Sequence, residues 1–64
     1  MMLDTISLEG AYLQGANLSG AELSRVNLQG ANLRRANLSG TDLWGANMTG
    51  ADLIEANLKG VNRT

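Results

Sequence analysis

Histidine and cysteine are both absent from this 64-residue sequence. Their absence excludes a Ser–His–Asp triad, a thiolate nucleophile, a structural disulfide and a zinc site built from the usual ligands. Catalysis would have to rest on carboxylates alone. We interpret the six acidic residues as outward, solubilising side chains: Asp4, Glu9, Glu22, Asp42, Asp52 and Glu55. The composition therefore predicts a protein that is not an enzyme and that uses neither a cofactor nor a metal ion.

An excess of basic charge and long apolar runs are missing as well. Five Lys and Arg residues against six Asp and Glu residues give a formal net charge of −1, which is not the basic footprint of a protein that binds nucleic acid directly. Residues 1–15 have neither the basic start nor the continuous apolar core of a secretory signal, and no apolar run approaches the length of a membrane span. We therefore expect a cytoplasmic protein without a membrane span.

A strict period of five dominates the sequence. Every fifth residue from Leu3 to Leu58 is a leucine, except Met48, and a small residue precedes most of them by two positions. On an α-helix, where each residue turns by about 100°, leucines five apart would spiral around the surface without forming an apolar stripe. In an extended segment successive units would point to opposite sides, because five is odd. A turn in every unit removes this conflict.

The last place of eight units is a glycine, which suits such a turn. Glycine adopts a positive φ without steric cost, as a type II turn demands. Four corners would return the chain to its starting side and give a square coil of twenty residues. The sequence itself shows this period of twenty. Residues 16–20 and 36–40 both read ANLSG, and residues 56–60 differ only by a lysine in place of the serine.

These units resemble the pentapeptide-repeat family, whose motif is A(D/N)LXX. Clear units cover residues 11–60, with looser units at residues 1–10 and a terminal remnant at residues 61–64. The resemblance implies an all-β fold, a right-handed quadrilateral β-helix. At roughly 4.8 Å per layer, the length allows a solenoid of about three coils that is only about 15 Å tall. We expect residues 1–64 to form this single solenoid domain.

Most repeated side chains serve the architecture, so the sequence predicts a non-enzymatic structural or protein–protein interaction module. The resemblance also implies an alternative, because some family members are thought to inhibit DNA gyrase by mimicking duplex DNA with an acidic rod. Such a regulator of gyrase or topoisomerase needs a long and continuous negative surface. The short length, the weak net charge and the five basic residues disfavour that alternative.

Two outward positions carry large apolar residues. Trp44 and Ile54 each follow a central leucine, where other units have polar side chains, and the interior of the coil has no room for them. Either the tryptophan only covers its own glycine corner, or it anchors an interface, since Trp beside Arg is typical of binding hot spots. Positions modulo twenty place Trp44 on one face and Ile54 on the opposite face. The candidate interaction surface comprises, on the first face, Trp44, Arg25 and Asp42 and, on the second, Ile54, Arg34 and Tyr12.

The twenty-residue register predicts two kinds of contact between layers. Arg35 and Glu55 are twenty apart and should form a surface ion pair. The column Asn17, Asn37 and Asn57 is predicted to be a ladder of stacked amides that bond one another. At the ends of the stack we expect open edges, so that an unidentified protein partner or a second copy would pair with residues 57–62.

Overall fold

The chain turns once in every five residues. The computed structural model describes residues 6–63; the expected unit Met1–Thr5, with Asp4, and Thr64 lie outside this range. In each turn the first N–H of a unit donates to the central carbonyl of the unit before it, as from Ala31 to Leu28 at 3.0 Å. The residue before the donor has a positive φ between 61° and 72°. A bond from residue i+3 to residue i with a positive φ at i+2 is the signature of a type II turn, so the predicted corner is confirmed.

Four turns bring the chain back over its own start. The eight β-bridges of the described residues all join positions twenty apart, and all are parallel. Three backbone hydrogen bonds accompany a typical bridge: Leu18 N–H to the Asn37 carbonyl, Asn37 N–H to the Ala16 carbonyl, and Gly20 N–H to the Ser39 carbonyl, each at 2.8 Å. The twenty-residue register predicted from the repeated ANLSG units is therefore confirmed.

The coil has four faces, which we number in chain order. Face 1 comprises the units that begin at residues 6, 26 and 46; face 2, those at 11, 31 and 51; face 3, those at 16, 36 and 56; and face 4, those at 21, 41 and 61. Residues 6–25, 26–45 and 46–63 form layers 1, 2 and 3. A residue therefore lies next to its counterpart twenty positions away, in the adjacent layer of the same face.

Each straight segment is too short for an extended strand. Between residues 6 and 63 the chain contains isolated bridges but no longer strand and no helix, hence no helix that could cross a membrane. The second residue of each unit forms the bridge, and the next turn begins only two residues later. The β structure of this solenoid therefore consists, in the described residues, of single-residue parallel bridges and not of longer strands.

The interior is filled by the first and third residues of the units. Burial is most complete around layer 2, where Leu28, Leu33 and Leu38 have no solvent exposure. The leucines of layers 1 and 3 are mostly half-buried, and Leu58 is exposed. A leucine in this solenoid therefore needs a layer on each side to be buried fully, as in other stacked-repeat proteins.

One inward position carries a polar residue. Thr41 stands where most units have alanine, and its side chain is fully buried. Its hydroxyl donates to the Leu18 carbonyl at 2.8 Å, which joins layer 2 to layer 1. Every buried side-chain N or O atom in the described part of the chain has a hydrogen-bond partner. A polar group is thus accommodated in the core without the penalty of an unsatisfied donor.

Substitution of Leu38 tests how much the packing of the central layer contributes to the stability of the fold. Leu38→Ala should lower the free energy of unfolding by about 2–5 kcal/mol, because it leaves a cavity between two packed layers. Leu38→Asp should abolish the fold, since a carboxylate there would be buried without a partner. Urea titration followed by far-ultraviolet circular dichroism measures both effects. A native-like spectrum for Leu38→Asp would contradict the assignment of this residue to the core.

Candidate interaction surfaces

Trp44 lies on face 4 in layer 2 and is 46% exposed. Its backbone N–H donates to Oδ1 of Asp42 at 3.1 Å, which holds the turn from which the indole projects. The guanidinium carbon of Arg25, in layer 1, lies 5.3 Å from the centroid of the Trp44 ring. This distance is within the range of a cation–π contact. The structure thus brings together Trp44, Arg25 and Asp42, three of the residues predicted from the sequence.

The arginine both stacks on the indole and packs against the neighbouring corner. A Cβ added at Gly45 would come within 3.4 Å of Cγ of Arg25, so the stem of Arg25 lies against this corner. Glu22 and Asp42 form the bridge on the same face. Face 4 therefore presents a half-exposed aromatic ring with a cation on it and carboxylates nearby.

Face 2 carries two ion pairs between layers 2 and 3. Nε of Arg35 donates to Oε1 of Glu55 at 3.0 Å, which confirms the predicted pair. Nε of Arg34 donates to Oδ2 of Asp52, a contact that the sequence reasoning missed. Those two residues are eighteen apart, so they are diagonal neighbours and escape a comparison of residues twenty apart. Each of the two guanidinium groups is thus held by a carboxylate of the next layer.

A shallow groove of about 410 Å³ lies beside these pairs. Ile54 is 57% exposed and contributes to its lining together with Arg34, whereas Tyr12, which is 86% exposed, is not part of the lining. The structure therefore brings two of the three residues predicted on this face into one groove. The sequence reasoning missed Gln14 and Asn32 in the lining, although Gln14, Arg34 and Ile54 form one column of the twenty-residue register. The groove is lined by Gln14, Asn32, Arg34, Arg35, Ile54 and Glu55.

Asp52 closes its own turn as well as binding Arg34. The N–H of Ile54 donates to Oδ1 of Asp52 at 3.2 Å. This bond is the largest cause that holds the pKa of Asp52 below its ordinary value of 3.8; the bond and charge of Arg34 act in the same direction, and desolvation opposes them. Both oxygens of the carboxylate are thus engaged by donors.

The column Asn17, Asn37 and Asn57 does not form the predicted ladder between layers. Oδ1 of each asparagine accepts the N–H two residues along its own unit, at 3.0 to 3.1 Å. That N–H has no backbone acceptor within residues 6–63, so the local bond satisfies a donor that the turn leaves open. The same bond is made by five other side chains: Asn27, Asn32, Asp42, Asn47 and Asp52. The ladder prediction was wrong because the unit itself uses the amide oxygen.

Within residues 6–63, three corners carry side chains in place of glycine. Arg25, Arg35 and Glu55 have φ values of 64°, 61° and 62°, a left-handed conformation that costs a residue with a Cβ roughly 1–2 kcal/mol. An exposed ion pair contributes only up to about 1 kcal/mol, which does not offset the strain of both Arg35 and Glu55. All three residues lie on faces 2 and 4, whereas every described corner of faces 1 and 3 is a glycine. The strained side chains thus coincide with the two candidate surfaces.

Within the described range, no group of three or more His, Cys, Asp or Glu residues lies close enough to hold a metal ion. The contacts that the two surfaces do show are hydrogen bonds, ion pairs and a cation–π contact.

Comparison with known proteins identifies the repeat. A family model described as Pentapeptide repeats matches residues 6–40 and 31–62, with eight copies. Among solved structures, the chain is similar to a pentapeptide repeat protein, Rfr23, from the cyanobacterium Cyanothece 51142, at 46% identity with a TM-score of 0.86. The match covers 91% of this chain and 40% of that one, so the chain spans less than half of its neighbour's length. Comparison with curated proteins gives no match.

Replacing a strained corner residue with glycine should stabilise the protein relative to alanine. Glu55→Ala removes the ion pair but keeps the strained φ, whereas Glu55→Gly also relieves the strain. We expect the glycine variant to be more stable than the alanine variant by about 1 kcal/mol, measured by urea unfolding. Gly60→Ala is the matched control, since its added Cβ would meet Gly40 only at an ordinary contact distance of 3.7 Å. Gly60→Ala should be less stable than the wild type by about the same 1 kcal/mol. Equal stability of the two Glu55 variants would contradict the strain argument.

The lowered pKa of Asp52 predicts an acid-sensitive contribution to stability. A carboxyl with a lower pKa in the folded state stabilises the fold above its ordinary pKa of 3.8 and loses that contribution as the pH falls through the folded-state pKa. Asp52→Asn keeps an oxygen for the N–H of Ile54, as Asn32 does in its own unit, but does not titrate. Urea titrations at pH 7 and pH 3 should show a smaller loss of stability for the variant than for the wild type. An equal loss would contradict this assignment.

Proposed function

Because the chain belongs to the pentapeptide-repeat family, we propose that it is a non-enzymatic protein–protein interaction module whose main contact is Trp44. The proposal includes the coil that the family resemblance implies, a right-handed quadrilateral β-helix of about three coils. The half-exposed indole of Trp44, held under the Arg25 guanidinium, carries the proposal.

Two contacts hold the tryptophan in place. The Asp42 carboxylate fixes the turn before the ring, and the Arg25 stack restricts the ring itself. A side chain that is already ordered loses less conformational entropy when a partner binds. Trp and Arg are also the residue types most enriched among binding hot spots. This arrangement supports an anchor for a partner that approaches face 4 from the side.

The size of the molecule restricts the form of such a complex. A standard interface takes about 800 Å² from each partner, which is about a fifth of the accessible surface of 4210 Å². A globular partner centred on Trp44 would therefore cover face 4 and reach the faces beside it. Pairing with the edge at residues 57–62, by a partner or a second copy, stays a prediction as a second mode of contact.

The charges of the described residues do not favour the gyrase-regulator alternative. Glu22 and Asp42 stack on face 4, but Arg25 lies on the same face. On face 2 both carboxylates are paired with arginines. A mimic of duplex DNA needs a negative charge for roughly every 1.7 Å of axis. Within residues 6–63 the negative charges are too few and too interrupted for that role.

The tryptophan can be tested by comparing two aromatic deletions. Trp44→Ala should leave the circular dichroism spectrum and the urea midpoint nearly unchanged, because the ring lies outside the core. Affinity capture with the wild type, followed by titration with the captured protein in purified form, should show that Trp44→Ala weakens binding at least about tenfold.

Tyr12→Ala is the matched control, since it removes a more exposed aromatic ring from the opposite face. It should bind like the wild type. Equal weakening by both deletions would show that the partner does not single out face 4. Loss of structure in Trp44→Ala, comparable to that in Leu38→Asp, would exclude Trp44 as a surface anchor.

A further inference from the structure

In the groove on face 2, most of the hydrogen-bond acceptors are engaged within the protein, whereas several of the donors are not. Both oxygens of Asp52 accept bonds, from Ile54 and from Arg34, and Oε1 of Glu55 accepts a bond from Arg35. Oδ1 of Asn32 accepts the backbone N–H of Arg34. The acceptors that could attract a cation or a further donor are thus largely occupied within the protein itself.

Several hydrogen-bond donors of the same groove have no acceptor within the described residues. Each arginine uses its Nε for the carboxylate of layer 3, and no bond to another described residue engages the terminal Nη atoms. The side-chain amide nitrogens of Gln14 and Asn32 also lack an acceptor among residues 6–63. Paired terminal nitrogens of a guanidinium match the two oxygens of a carboxylate. Although Asp52 and Glu55 balance the charges of the two arginines, the unused Nη donors match a ligand group with two oxygens, such as a carboxylate.

The carboxylates of Asp52 and Glu55 orient this donor set. An arginine whose Nε is already bonded is held in one orientation, so less side-chain entropy is lost when a ligand binds its outer nitrogens. Arg35 and Glu55 also occupy strained corners that glycine would fill more favourably. The ion pair does not offset that strain, and a binding role accounts for side chains at both positions.

An apolar wall adjoins the donors. Ile54 lines the groove and is more than half exposed. The volume of the groove, about 410 Å³, is within the range of small-ligand sites and accommodates a few side chains. A ligand that combines a carboxylate with an adjacent apolar group would use both parts of the groove.

We propose that the face 2 groove binds an acidic peptide segment, with a Glu or Asp carboxylate on the Nη atoms of Arg34 and Arg35 and a neighbouring aliphatic side chain on Ile54. The site is separate from Trp44, which lies on the opposite face. It therefore goes beyond the proposed function and does not depend on it.

Nuclear magnetic resonance titration of the ¹⁵N-labelled chain tests this site without a known partner. The probe is acetyl-Leu-Glu-Leu-Glu-amide, and the comparison peptide is acetyl-Leu-Gln-Leu-Gln-amide. We expect saturable shifts of the Gln14 and Asn32 side-chain amides with the glutamate peptide, and binding at least about fivefold weaker with the glutamine peptide. Inorganic phosphate at the same ionic strength should bind more weakly than the glutamate peptide.

Two arginine-to-glycine variants provide the matched comparison. Arg35→Gly and Arg25→Gly both remove an arginine from a left-handed corner that glycine accepts, so neither should unfold the chain. Arg35→Gly should weaken peptide binding at least about fivefold, whereas Arg25→Gly should leave it unchanged.

Several outcomes would overturn the proposal. They are the absence of saturable shifts, equal binding of the two peptides, equal weakening by the two variants, and phosphate binding as tight as that of the peptide. None of these outcomes bears on Trp44, and a failure of the Trp44 test does not bear on the groove.

Discussion

A left-handed residue at the end of every five-residue unit is the constraint on which this structure depends. The positive φ at that position directs the chain around a corner, and the N–H that follows closes the turn on the central leucine or methionine. Four such corners bring each unit beside its counterpart, where three backbone bonds fix the register. The packing of leucines inside the coil is possible only because the corners keep every unit facing inwards.

This geometry assigns a separate task to each place in the unit. The first and third residues fill the interior, and the second, where it is Asn or Asp, accepts the N–H that the turn leaves open, as Asn37 does from Ser39. The fourth place has no such task, and the fifth accepts a side chain only at the cost of a strained φ. The two candidate surfaces are built largely from these places, which hold Trp44 and Arg25 on one face and Arg34, Arg35 and Ile54 on the other.

The sequence was sufficient for the corners, the register, the exposure of Trp44 and the Arg35–Glu55 pair, because each follows from a period of five or twenty. It was not sufficient where a side chain had a choice of partners. The amide of Asn17 bonds within its own unit, since a backbone donor lies closer than the next layer. Arg34 reaches diagonally to Asp52, because a long side chain is not confined to its own column. The periodicity predicts the face and layer of each residue, but it does not predict which group a flexible side chain contacts.

The arginine contacts between layers are distributed unevenly over the faces of the solenoid. Arg25 and Trp44 join layers 1 and 2 on one side, whereas Arg34 and Arg35 join layers 2 and 3 on the other. In a solenoid each layer is stabilised chiefly by its neighbours, so the ends open more readily than the middle. The arginine contacts of the two surfaces thus cross different boundaries between layers, although on face 4 the side-chain amide of Asn62 also donates to Asp42 across the second boundary. A partner that drew Trp44 away from Arg25 would favour fraying of the first coil, whereas a ligand that tightened Arg34 and Arg35 would retard fraying of the last.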